Sequence, residues 1–146
     1  MIKKIFNKLF HKVEKISFKE SMDLTDMPVI TLYQGDKKLN LLLDTGSNHN
    51  VISSHVIEDL KYENTGETSS IVGMEGKPRD ASVCRLSLTY KDRVYVSDYI
   101  VNDLKDAFDH IKQTTGVTLH GMLGAKFFNE YKYILDFESL VAYSKA

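Results

Sequence analysis

The sequence predicts a mostly β domain with one or two short helices, preceded by a basic amphipathic helical arm. Three observations carry this expectation. Short apolar and β-branched runs recur between turn signals from about residue 21 onward. The stretch 102–116 has a helical signature, and a shorter one follows at 125–131. The first residues place apolar side chains at helical spacing. The expected division is an arm over 1–20 and one domain over 21–146.

In the arm, "MIKKIFNKLFHKVEKIS", Ile2, Ile5, Phe6, Leu9, Phe10, Val13 and Ile16 fall within an arc of about 140°. Lys4, Lys8, His11 and Lys15 face the other way. Its lysines are opposed by Glu14 alone, so the arm is strongly cationic and the remainder acidic. No h-region of a secretory signal is expected. Two roles remain open. Residues 1–17 rest on an acidic membrane surface, or their apolar stripe packs on this protein or a partner.

The domain begins with "PVITLYQ" (28–34), the turn signal Gly35-Asp36 and "KKLNLLLDT" (37–45), which together read as a hairpin. "NVIS" (50–53) is a short third strand, whereas "HVIEDLKY" (55–62) is polar and ambiguous. "SSIVGMEGKPRDASVCRLSLTY" (69–90) reads as strand, glycine-rich tip and long strand. On its outgoing arm Cys84, Leu86 and Leu88 alternate with Val83, Arg85 and Ser87. "RVYVSDYIV" (93–101) is another strand. A helix is expected over 102–116, with Asn102 as N-cap and Gly116 as the stop. "VTLHGMLG" (117–124) reads as strand into turn and "AKFFNEY" (125–131) as a short helix. "KYILDF" (132–137) and "LVAY" (140–143) close the domain around Glu138-Ser139.

Composition narrows the function classes. The chain of 146 residues is 42% hydrophobic and 27% charged, ordinary for one globular domain. A net charge of −1 gives nothing global that points to nucleic acid, and the tyrosines show no stacking pattern. Cys84 stands alone, which suits a reducing compartment or a core thiol. The five histidines, His11, His49, His55, His110 and His120, lack metal-ligand spacing, so no metal is expected. There is neither a G-x-S-x-G elbow nor a P-loop.

The chemistry concentrates in "LNLLLDTGSN". An apolar strand runs straight into Asp44, and a carboxylate there is costly unless something uses it. Asp44-Thr45-Gly46 alone is weak, since a chosen tripeptide arises by chance in roughly 2% of such chains. Context sharpens it. Val51-Ile52 follows, and far downstream stand Gly121-Met122-Leu123-Gly124, a short helix and "YILDF".

This set, in this order, resembles the retropepsin-like aspartic proteases over about residues 28–144. The resemblance implies a closed β-barrel with a flap hairpin and an aspartic endopeptidase without cofactor. In such an enzyme two carboxylates share one proton and activate a water against the peptide bond. Only one Asp-Thr-Gly exists here, so the second carboxylate would come from a second copy, across a homodimer axis. Asp44 would be catalytic. Thr45 would hydrogen-bond across the dimer, and Gly46 would keep the loop open to the substrate backbone. Ser47 stands where the family accepts Ala or Ser. Asn48 and His49 stand where viral members are often acidic and bind substrate main chain, a departure that bears on specificity. Met122, Leu123 and Gly124 match the hydrophobic-hydrophobic-Gly element and would scaffold the loop.

Gly73, Met74, Glu75 and Gly76 would form the flap tip over a peptide or protein substrate. No tyrosine lies between 63 and 89, unlike the flap of pepsin-like enzymes. The C-terminal "LVAY" is the candidate for dimer-interface strands, since viral members interleave their terminal strands. The expected location is cytoplasmic, including the inner face of a membrane. The alternative is a catalytically silent domain of this fold used for dimerisation or peptide binding.

Overall fold

The structure, a computed structural model, describes residues 15–72 and 76–145. Residues 1–14 of the expected arm, and Gly73, Met74 and Glu75 of the expected flap tip, lie outside the described residues.

The first element is a helix that the sequence reading passes over, α1 (Phe18–Thr25). Ser17 caps it, accepting a hydrogen bond from the Glu20 amide at 3.2 Å. Buried Ser21 donates to Phe18 O and accepts from Val29 N–H, which ties the helix to the strand that follows.

β1 (Val29–Gln34) and β2 (Lys37–Leu43) form the expected hairpin, turning at Gly35 with φ +61°. β3 (Asn50–Ser53) leads into one helical turn, α2 (Ser54–Ile57), which resolves the ambiguous 55–62 stretch. β4 (Glu63–Val72) and β5 (Pro78–Tyr90) form a long hairpin, and β6 (Arg93–Asn102) follows. β4 starts six residues before the expected Ser69; its first six residues are polar or glycine and none is buried, so no alternating pattern marks them in the sequence.

α3 (Lys105–Thr115) stops at Gly116, φ +80°, as expected. Its start differs. Asn102 is not the N-cap but the last residue of β6, paired with Ser53, and its side chain is engaged by Arg79. Leu104 occupies the cap position, while Asp103 accepts from the Lys105 amide. β7 (Gly121–Leu123), α4 (Ala125–Tyr131), β8 (Tyr133–Asp136) and β9 (Val141–Ser144) complete the chain. Of the expected strand at 117–124 only 121–123 pairs as a strand, although Val117 and Leu119 are buried.

The sheet runs β1-β2-β7-β3-β6-β5, and β5 returns to β1 through Tyr33 and Thr89. This closes a six-stranded mixed barrel, the closed barrel that the resemblance implies, with β4 attached outside β5. Its core holds Leu32, Leu41, Ile52, Leu86, Leu123 and Phe127. Phe127 and Tyr131 of α4 pack against Tyr95, tilted and edge-on, with ring centroids 5.4 and 4.9 Å from it, seating the helix on β6. β8 and β9 form a separate two-stranded sheet.

Candidate active site

The loop that carries Asp44 follows from the strand order. β2 and β3 are consecutive, yet β7 lies between them, parallel to β2 and antiparallel to β3. The connecting residues, 44–49, must therefore arch over the C-terminal end of β7. A close approach results. A Cβ on Gly124 would lie 2.5 Å from His49 O and 2.6 Å from Ser47 O, so only glycine fits there.

Backbone bonds lock the arch to its support. The Asp44 amide donates to Leu123 O at 2.9 Å, and the Ala125 amide donates to Ser47 O at 2.7 Å. Within the arch, Ser47 N–H donates to Asp44 O, and the Ser47 hydroxyl donates to His49 O at 2.8 Å. The Gly46 amide donates to the Asp44 carboxylate at 3.0 Å and fixes one of its oxygens.

The structure thus brings Asp44, Thr45, Gly46, Ser47, Asn48 and His49 together with Met122, Leu123 and Gly124. Asp44 and Ser47 are half-buried, whereas Thr45, Gly46, Asn48 and His49 are exposed. Leu123 points into the main core, and Met122 packs on the opposite cluster around Val29, Phe108 and Val117. The two hydrophobic residues of the element therefore grip both sides of β7.

Gly76 is the described part of the expected flap tip, with φ +75° and open space around it. It belongs to the β4–β5 hairpin, whose outer part meets the barrel through Arg79 on Asn102. No side chain of 63–72 or 78–82 is buried. The strand pairing shifts register between Asn64 and Thr68.

One residue of the site was not singled out by sequence reasoning. Asn50, only 2% exposed, accepts from the Gly124 amide at 2.9 Å and donates to Asp98 O at 3.2 Å. The signal available was an amide side chain opening an otherwise apolar strand beside the Asp44 loop.

Other groups take structural places. Burial pushes the Cys84 thiol up to about 11, with the Asp98 charge adding to it. His120 accepts the Asn40 amide on its ring nitrogen, and His55 faces Asp103 across 3.3 Å. His49 and His110 are exposed. Among the described residues no three His, Cys, Asp or Glu side chains converge as a metal site. Also among them, no helix is long and apolar enough to cross a membrane. Two open cavities of about 530 and 600 Å³ flank α1 and α4, and Asp44 lines neither.

Comparison with known proteins agrees with this geometry. The aspartyl protease family model matches residues 30–127, which contain both the Asp44 arch and Gly124. The fold is similar to that of EIAV protease, solved with the inhibitor HBY-793. The two share 20% identity at a TM-score of 0.55, over 79% of this chain and 97% of that one. It is also similar to the retroviral protease-like domain of Ddi1 from Leishmania major. Identity there is 8% at a TM-score of 0.53, over 82% of this chain and 87% of that one. No curated protein sequence matches the chain. With the family model spanning the barrel, the chain belongs to the aspartyl protease family and has the retropepsin-like fold.

Proposed function

We propose that the protein is an aspartic endopeptidase assembled from two copies of this chain. The observation that carries the reading is the Asp44 carboxylate, half-buried on an arch locked to β7 and held by the Gly46 amide. The chain supplies one such carboxylate, and the chemistry needs two. In the dimer Asp44 and its symmetry mate share a proton. The ionised partner takes a proton from water as the water attacks the peptide carbonyl. The protonated partner hydrogen-bonds the developing oxyanion.

Thr45, exposed in the single chain, links the two arches across the axis, and Gly46 leaves the carboxylates open to the peptide. Ser47, Asn48 and His49 border the substrate, and the tip 73–76 closes over it. Val141 and Tyr143 of β9, exposed at 43% and 42%, suit an interface between copies. At the described end of the arm Ile16 is not helical and packs on this protein, buried against Val29, Phe108, Val117 and Leu119. The residues before it are assigned to an acidic lipid surface on the cytoplasmic side. Pelleting with anionic vesicles that falls as salt rises and vanishes without the arm supports that assignment. Pelleting indifferent to lipid charge removes it.

The test is to incubate the protein with an unfolded protein substrate from about pH 4 to 7, with and without Asp44→Asn. A carboxylate pair sharing a proton gives a bell-shaped profile, low when doubly protonated and low again when doubly ionised. Asp44→Asn should fold and cleave nothing, because an amide cannot act as base. Normal cleavage by that variant overturns the proposal. A folded wild type that is inactive at every pH moves the reading to the silent domain.

A further inference from the structure

We infer that Asn50 is a positioning residue that sets the height of the Asp44 arch, an inference that rests on the protease reading for its kinetic consequence. Its side chain stands where three strands separate. Gly124 lies one residue beyond β7, so its amide has left the ladder to β3. Asp98 lies one residue before the parallel pairing of β3 with β6, which begins at Asn50 and Tyr99. The Gly124 amide therefore needs a partner from outside the ladder, and it stands beside the Asp98 carbonyl where the β3–β6 ladder begins. The Asn50 side chain serves both, with Oδ1 on Gly124 N–H and Nδ2 on Asp98 O. Left unpaired in this buried place, the Gly124 amide would cost stability.

The position matters because Gly124 is the support of the arch. Ser47 O and His49 O lie directly over it, and its neighbours Leu123 and Ala125 hold Asp44 and Ser47 by backbone bonds. Asn50 thereby ties that support to β6, across the barrel from β2. Without the tie, Leu123 stays paired with β2 and Ala125 stays in its helix, but the Gly124 amide between them has no fixed partner. A shift of the carboxylate by about 1 Å is enough to lose a hundredfold in rate.

The chemistry of the amide suggests the discriminating variants. Asn50→Leu removes donor and acceptor at similar volume. Asn50→Asp keeps the shape and the acceptor but donates only when protonated. Amide hydrogen exchange at Asp44, Gly124 and Ala125 is measured with the cleavage kinetics, on folded protein. In Asn50→Leu, exchange should quicken at all three amides, and kcat should fall about a hundredfold with KM within about twofold. In Asn50→Asp, protection and kcat should return towards wild type as the pH falls and the new acid protonates. If Asn50→Leu does not fold, the pH series of Asn50→Asp decides alone. Quickened exchange at Gly124 only, with Asp44 and Ala125 unchanged, makes Asn50 a local cap and overturns the inference. So does a folded variant with unchanged kcat. A wild type that cleaves nothing defeats the protease reading, while the exchange pattern still decides the role of Asn50.

Discussion

The arch over β7 and the β4–β5 hairpin are both connections between strands, yet they are held by opposite means. The arch is short, crosses a strand and is fixed from beneath by the Leu123 carbonyl, which accepts from Asp44, and the Ala125 amide, which donates to Ser47. Beyond its register shift the hairpin is long, its strands pair with each other, and none of its described side chains out to Ser82 is buried. Few buried contacts mean low local stability. The molecule thus combines a carboxylate platform locked to β7 with a strand pair that buries little, the contrast the proposed peptide cleft would use.

The largest effect should come from closing the contact under the arch. Gly124→Ala puts a methyl against two carbonyl oxygens that cannot retreat without breaking the arch. We expect a loss of about 3 kcal/mol, the top of the range for overpacking, read from denaturant midpoints. A loss below about 1 kcal/mol would mean that the platform is as yielding as the hairpin.

Gly66 offers the matched change in the hairpin. It sits in the register shift with φ +76° and nothing within 4 Å of an added Cβ, so alanine there meets backbone strain and no clash. Global stability should fall by about 1–2 kcal/mol at most, with faster amide exchange confined to the hairpin. An effect as large as that of Gly124→Ala would erase the distinction.

These two glycines also mark what the sequence made legible. The apolar run into Asp44, the glycine after Leu123 and the short helix behind it are local signals, and each stands in the structure where it was expected. The polar half of β4 was not legible. A strand with no buried face has no period-2 pattern to show. Helix α1 was missed although Ser17 and Glu20 carry the spacing of a capping box, because the strand pattern was started too early. Asn102 was read as a cap because a polar residue before a helix usually is one. Its pairing with Ser53 is a tertiary fact. Asn50 escaped for the same reason, since its partners Asp98 and Gly124 are distant in sequence.

The smallest effect concerns Cys84, which pairs with Asn64 at the root of the hairpin. Its thiol is buried and pushed up to about 11, so little thiolate exists at neutral pH. Alkylation at pH 7 should be slow and should quicken severalfold in Gly66→Ala, because it reports opening of the root. Rapid alkylation of the wild type would place Cys84 outside the stable barrel. An unchanged rate in the variant would separate Gly66 from that opening.

The central claim is that two chains build one site, and mixing tests it most directly. Wild-type and Asp44→Asn chains are unfolded together in equal amounts, refolded and assayed for peptide cleavage. If each site needs an Asp44 from both copies, only wild-type pairs are active. The mixture should then retain about a quarter of the activity of the same amount of wild type. Retention of about half, in proportion to the wild-type chains present, would mean that each chain carries a complete site of its own and would contradict the account.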